Sequence, residues 1–166
     1  MKVNIALLTV TDTRTIDNDK SGGILVDKIK EANHNLVDRK ICKDNKDDIV
    51  LILKEWLKNE KIDAIITTGG TGLTGRDITP EALNEIADKH IPGFGEVFRN
   101  ISLKTVGTSA IQSRACAVLA NGKYVFALPG SSGGVTDAWD RILKHQLDIN
   151  HKPCNFVELF PRLKEK

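Results

Sequence analysis

The stretch from Ile62 to Ala82, IDAIITTGGTGLTGRDITPEA, constrains the fold more than any other part of the chain. The short run Ala64 to Thr67 reads as a buried strand, and a loop holding Gly69, Gly70, Gly72 and Gly75 follows it. The next residues announce a helix: Thr79 suits an N-cap, Pro80 the first helical position, and Glu81 the positive end of the helix dipole. A strand that feeds a glycine loop and then a helix is how α/β chains bind phosphate, because glycines let the backbone approach and free N–H groups face the anion. This loop is neither of the two common kinds. Gly75 is followed by Arg76 and Asp77 rather than by Lys and Ser or Thr, and although Gly70, Gly72 and Gly75 have the spacing G-x-G-x-x-G, the helix signal comes only at Thr79-Pro80, whereas a dinucleotide fingerprint opens its helix within the motif. Asp77 is the unusual residue. A carboxylate beside a phosphate cradle repels the ligand unless a cation lies between them, which points to hydrated Mg²⁺; the competing reading is that Asp77 caps a turn.

The flanking segments alternate between strand and helix. Val3 to Val10 is apolar on both faces, as a central parallel strand should be, and ends at Thr11-Asp12-Thr13. Leu25, Ile29 and Ala32 fall on one helical stripe, and Leu36 to Cys42 reads as a second strand that hands over to Lys43-Asp44-Asn45. From Lys46 the spacing of Ile49, Ile52, Leu53, Trp56 and Leu57 marks a helix. Another runs from Pro80 to about Lys89, stopped before Pro92, and a further one begins near Gly93. In that helix Phe94, Val97, Phe98 and Ile101 are at core spacing rather than forming a base-stacking site. Ala115 to Leu119 and Tyr124 to Leu128 flank Asn121-Gly122, a hairpin signal that makes one strand antiparallel. The second run delivers the chain to Pro129-Gly130-Ser131-Ser132-Gly133-Gly134 and a helix with Val135, Ala138, Trp139, Ile142 and Leu143 on one face. The tail from Pro153, with Phe156, Val157, Leu159 and Phe160, reads as an extended segment lying on the body or on another subunit.

With 166 residues, one domain spanning 1–166 is expected. The 24 Lys and Arg nearly balance 22 Asp and Glu and are scattered, so no basic stripe for nucleic acid is expected. No apolar segment is long enough to span a bilayer and no cleavage site follows Met1 to Val10, which makes a soluble, cytosolic protein with no membrane partner the expectation. Cys42, Cys116 and Cys154 are widely spaced and odd in number, and read as small buried side chains. His34, His90, His145 and His151 sit near predicted helix ends or turns and read as surface residues.

Alternating strands and helices place Asp12, Asp44 and Asp77 each just past a strand, so all three acids are expected in the crevice beyond the strands' carboxyl ends, with both glycine loops. Several carboxylates beside two phosphate loops call for a divalent metal. Phosphoryl and nucleotidyl transfer use such a metal to bridge phosphate oxygens and to offset developing charge.

The runs TTGGTGLTGRDITPEA, PGFGEVFR, TSAIQSRA and LPGSSGGVTDAWDRIL, in this order and spacing, resemble the molybdopterin-binding domain family of molybdenum cofactor biosynthesis, in its MoaB/MogA-like form. The likeness runs from Thr11-Asp12-Thr13 to Phe156. It implies a three-layer α/β/α fold with a mostly parallel sheet containing one antiparallel strand. It also implies adenylylation of molybdopterin: the ligand's phosphate attacks the α-phosphate of ATP, or of GTP as the alternative nucleotide, and pyrophosphate leaves with Mg²⁺. The attacking phosphate is already ionised near neutral pH, so no general base is required. Two aspartates carried over from the family are Asp44 and Asp77, as catalytic and Mg²⁺-holding residues, with Asp47 and Asp48 standing close to the first. Gly69, Gly70, Thr71, Gly72, Ser113, Pro129, Gly130 and Ser131 match positions near the pterin and phosphate sites, and Asp12, Thr68, Thr79 and Glu81 complete the candidate ligand-binding set. The alternative is a molybdopterin carrier without chemistry. A trimer or hexamer, and contacts with other proteins of cofactor biosynthesis, are further implications of the resemblance.

Overall fold

The apolar runs become one sheet in the computed structural model, which describes residues 1–165. Six strands are present among the described residues: β1 (Asn4–Val10), β2 (Asn35–Cys42), β3 (Ala64–Thr68), β4 (Lys89–His90), β5 (Cys116–Ala120) and β6 (Lys123–Leu128), in the order β2-β1-β3-β6-β5-β4. The pairs β1–β2, β1–β3 and β3–β6 are parallel, while β5 runs antiparallel to both β6 and β4. The hairpin joining β5 to β6 turns on Asn121 and Gly122, both at positive φ, as that dipeptide allows.

Helices cover both faces of the sheet. Leu7, Ile66 and Phe126 point into one core with Leu25 and Ile29 of α1 (Lys20–Glu31), with Phe94 and Phe98, and with Val135 beyond β6. The helices after α1 are α2 (Lys46–Lys58), α3 (Thr79–Ile86), α4 (Pro92–Val106), which carries the two phenylalanines, and α5 (Ser132–Ala138), which carries Val135. Leu8, Ile65 and Val125 point the other way, into a second core with Ile49, Leu53 and Trp56 of α2 and with Ala82 and Leu83 of α3. The alternation explains why β1, β3 and β6 read as unbroken apolar runs: both faces are covered. Each large side chain so buried contributes about 1.5–3 kcal/mol relative to exposure, which fixes the register of the central strands. After α5 the chain continues through a π-helical turn, Trp139–Leu143, into a last turn, α6 (Lys144–Gln146).

Several sequence expectations need correction. Thr79 is the first residue of α3 rather than its cap; it is buried, and its hydroxyl donates to the Gly69 carbonyl at 2.8 Å. The helix ends at Ile86, and Lys89 and His90 form the edge strand β4 against Leu119 and Val118. In α4, Phe94 and Phe98 are buried while Val97 faces outward, 49% exposed. The tail is not extended: Val157–Arg162 forms a 3-10 turn, and Phe156 stacks on Tyr124 at 4.5 Å, within the protomer's own core. His34 is half-buried, with its Nδ1 accepting from the Val3 amide at 3.2 Å. Cys154 is exposed, and Cys42 and Cys116 are half-buried, with burial pushing their thiols up to about 12 and about 11. No helix among the described residues is long and apolar enough to cross a membrane.

Candidate functional site

Strand register brings the candidate loops together. Val10 lies opposite Cys42, Thr9 opposite Thr68, and Thr68 opposite Leu128, so the segments that follow β1, β2, β3 and β6 leave the sheet at one level of one edge. The two glycine loops are in contact there. The Gly69 amide donates to the Leu128 carbonyl at 3.0 Å, and the Thr68 hydroxyl donates to the Pro129 carbonyl at 2.7 Å. A Cβ on Gly130 would stand 3.3 Å from the Gly69 α-carbon. Gly69 and Gly70 have φ of +99° and +67°, and a Cβ on Gly69 would stand 2.2 Å from the Val10 carbonyl oxygen, so neither position accepts a side chain.

Asp77 is held from its own loop. Its Oδ2 accepts from the Thr74 amide at 2.9 Å and from the Thr74 hydroxyl at 2.7 Å. Burial raises its pKa, but the hydrogen bonds from Thr74 and from the Gly72 amide outweigh that and hold the carboxyl below the usual range. Arg114, which carries no role in the sequence reading, locks this loop in place. Its amide donates to the Thr71 carbonyl at 2.8 Å, its Nε donates to the Gly72 carbonyl at 2.7 Å, its Nη2 donates to the Asp77 carbonyl, and its Nη1 pairs with Glu81. Glu81, drawn down in pKa first by that hydrogen bond from Arg114, is thereby turned away from the crevice.

Asp44 is in the opposite condition. It is half-buried, and burial followed by the charge of Asp12 raises its pKa, with Asp77 adding to the effect. Its amide donates to Asp12 Oδ1 at 3.1 Å, while Asp12 Oδ2 pairs with the exposed Arg76 at 3.1 Å. Asp47 and Asp48 lie instead in the first turn of α2, where Asn45 caps the Asp48 amide. Asp44 is therefore the acid that faces the glycine loops: its Oδ1 is 3.5 Å from where a Cβ of Gly70 would be.

Two cavities meet at these loops and share Gly70, Gly130 and Ser131. The larger, about 910 Å³, gathers Thr71, Gly72, Asp77, Ser113 and Pro129 and is backed by Phe98 and Val106. The smaller, about 400 Å³, holds Asp44, Thr68 and Gly69 together with Thr11 and Arg14. Asp12 supports the Asp44 backbone, Thr79 braces Gly69 from behind, and Glu81 lines neither cavity. Among the described residues no three His, Cys, Asp or Glu side chains are grouped to hold a metal ion. The residues present fit Mg²⁺ on other terms: this ion keeps several waters and binds through one or two carboxylates plus substrate phosphates, and a cation would offset both the burial and the repulsion from Asp12 and Asp77 that raise Asp44.

Comparison with known proteins gives the family and the fold. Residues 6–149 match the family model MoCF_biosynth, described as "Probable molybdopterin binding domain". The chain is 44% identical over 161 residues to molybdenum cofactor biosynthesis protein B of Escherichia coli K12, covering 97% of this chain and 93% of that protein. A crystal structure of a molybdenum cofactor biosynthesis protein B superposes with a TM-score of 0.89 at 37% identity, over 100% of this chain and 98% of that one. The tungsten cofactor synthesizing protein MoaB of Pyrococcus furiosus gives a TM-score of 0.78 at 34% identity, over 87% and 92%. The chain belongs to the molybdopterin-binding domain family, with the three-layer α/β/α fold of its MoaB and MogA members.

Proposed function

We propose that the chain acts in molybdenum cofactor biosynthesis, binding molybdopterin in the larger cavity and transferring the adenylyl group of Mg-ATP to its terminal phosphate. The observation that carries this reading is the meeting of two cavities at a pair of touching glycine loops, with Asp77 lining one cavity and Asp44 the other. In the transfer, a molybdopterin phosphate oxygen bonds to the α-phosphorus, the bond from that phosphorus to the bridging oxygen breaks, and pyrophosphate departs with the electron pair. Because the attacking oxygen is already ionised, no side chain has to remove a proton. Asp44 and Asp77 would hold Mg²⁺, which supplies charge neutralisation across the polyphosphate. Asp77, kept ionised by Thr74, is a fixed anchor; the glycine loops admit the phosphates without a side chain in the way. Phe98, Val106 and Ala110 give the larger cavity an apolar wall suited to a flat heterocycle.

One observation favours a carrier that holds molybdopterin without chemistry. Asp77 Oδ2 accepts both Thr74 hydrogen bonds, as a turn-capping carboxylate does. Incubation with molybdopterin and Mg-ATP separates the two: pyrophosphate release in proportion to molybdopterin is expected for the transferase, and tight binding with no pyrophosphate for the carrier. GTP in place of ATP, run in parallel, reads the nucleotide preference. The same reading includes assembly into a trimer or hexamer, for which the outward-facing Leu103 and Ile111 offer an apolar surface in preference to the tail, whose Phe156 and Phe160 turn inward.

A further inference from the structure

The lining of the smaller cavity carries both signs of charge. Asp44 supplies the negative one, backed by Asp12. Arg14 supplies the positive one, and among the described residues it is the one basic side chain lining that cavity. The guanidinium is fastened at one nitrogen only. Its Nη1 donates to the Ser21 hydroxyl at 3.1 Å and to the Gly130 carbonyl at 3.3 Å, and lies 4.0 Å from Asp19 Oδ1. Asp19 is the buried post behind it: its side chain is 0% exposed and accepts from the Thr9 hydroxyl at 2.6 Å, the Gly22 amide at 3.0 Å and Arg39 Nη2 at 3.1 Å. One carboxylate thus serves two guanidiniums, and a positive charge is left over. Nε and Nη2 of Arg14 have no hydrogen-bond partner among the described residues, and 40% of the side chain is exposed.

We propose that Arg14 makes the smaller cavity an anion subsite for the β- and γ-phosphoryl groups of the nucleotide, the part that departs as pyrophosphate. The identity of the anion rests on the adenylyl-transfer reading; the subsite itself rests on the cavity and its charges. A metal-bound pyrophosphoryl group is itself two-sided, with oxygens for Arg14 and a cation for Asp44, and the lining of the cavity contains both partners. The planar fork of arginine matches paired phosphate oxygens, and a side chain tethered through Nη1 still offers its other edge. A bracket that only closed the loop on Gly130 would need Nη1 alone.

Calorimetric titration of the full chain with inorganic pyrophosphate and Mg²⁺, in parent, Arg14→Gln and Arg14→Lys, tests this, with a parallel titration of molybdopterin. The expected result is pyrophosphate affinity weakened on the order of tenfold or more in Arg14→Gln, partly recovered in Arg14→Lys, and molybdopterin affinity unchanged in both. Equal pyrophosphate affinity in parent and Arg14→Gln overturns the subsite and leaves adenylyl transfer standing. Joint loss of pyrophosphate and molybdopterin binding, with Arg14→Lys no better, also overturns it by making Arg14 a bracket of the loop. Arg14-dependent pyrophosphate binding in a protein that releases none from ATP and molybdopterin upholds the subsite and removes the transferase reading instead.

Discussion

Asp77 and Asp44 face the same crevice from neighbouring loops, and their surroundings push them in opposite directions. Asp77 is tied by Thr74 and bordered by Arg114, so its carboxylate is settled without any ligand. Asp44 has burial and two other acids against it, with Arg76 across Asp12 as partial relief. The contrast teaches a division of labour: one acid is pre-positioned by the chain, and the other is left for a cation to satisfy. A site built this way pre-pays for geometry on one side and gains affinity on the other.

The largest expected effect is on Asp77. Asp77→Asn should leave molybdopterin binding nearly intact and lower transfer by about a hundredfold or more, measured as pyrophosphate release under saturating Mg²⁺ and ATP. Equal turnover in mutant and parent would remove Asp77 from the chemistry and reduce it to a turn cap. Asp44→Asn should differ in kind. Its loss of transfer should be about tenfold or more and partly recovered by raising Mg²⁺, because a weakened cation site can be refilled by mass action. Failure of Mg²⁺ to recover any rate would break the assignment of Asp44 to the cation.

Arg114→Met sharpens the comparison from the side of stability. It removes the hydrogen bonds to the Gly72 and Asp77 carbonyls and the pairing with Glu81, and should cost about 2 kcal/mol in denaturant unfolding while displacing Asp77. A variant as stable as the parent would show that the loop needs no lock. The smallest effects are opposite in sign. The folded-state pKa of Asp44 is raised, so its charge opposes folding once pH has risen through that value, and Asp44→Asn should raise Tm at neutral pH without Mg²⁺. The pKa of Asp77 is lowered, so its contribution is present above the unfolded value and disappears as pH falls through the folded one; Asp77→Ala should lower Tm at neutral pH. Shifts in the same direction would erase the contrast.

How far the sequence foretold this depends on the range of each interaction. The strands β1, β3 and β6 were legible because burial on both faces leaves unbroken apolar runs, and Asn121-Gly122 carries its turn in two residues. Strand alternation alone was enough to send Asp12, Asp44 and Asp77 to one edge. Arg114 escaped notice because its side-chain partners lie 33 to 42 residues away, where no local pattern links them. Arg14 was hidden for the same reason: Gly130 is 116 residues distant, and no local pattern marks Asp19 as buried. Thr79 was taken for a cap because its hydroxyl fits that role, whereas the closeness of Gly69 gave it a better acceptor. The strand β4 is two residues long and exposed, too short for any periodicity.

The most direct measurement is the single-turnover rate of pyrophosphate release for the parent, Asp44→Asn, Asp77→Asn and the double variant. If both acids grip one magnesium-bound polyphosphate, the parent turns over and the double variant is no slower than the worse single one. Losses that simply multiply, or a parent that binds molybdopterin and Mg-ATP yet releases nothing, would contradict it.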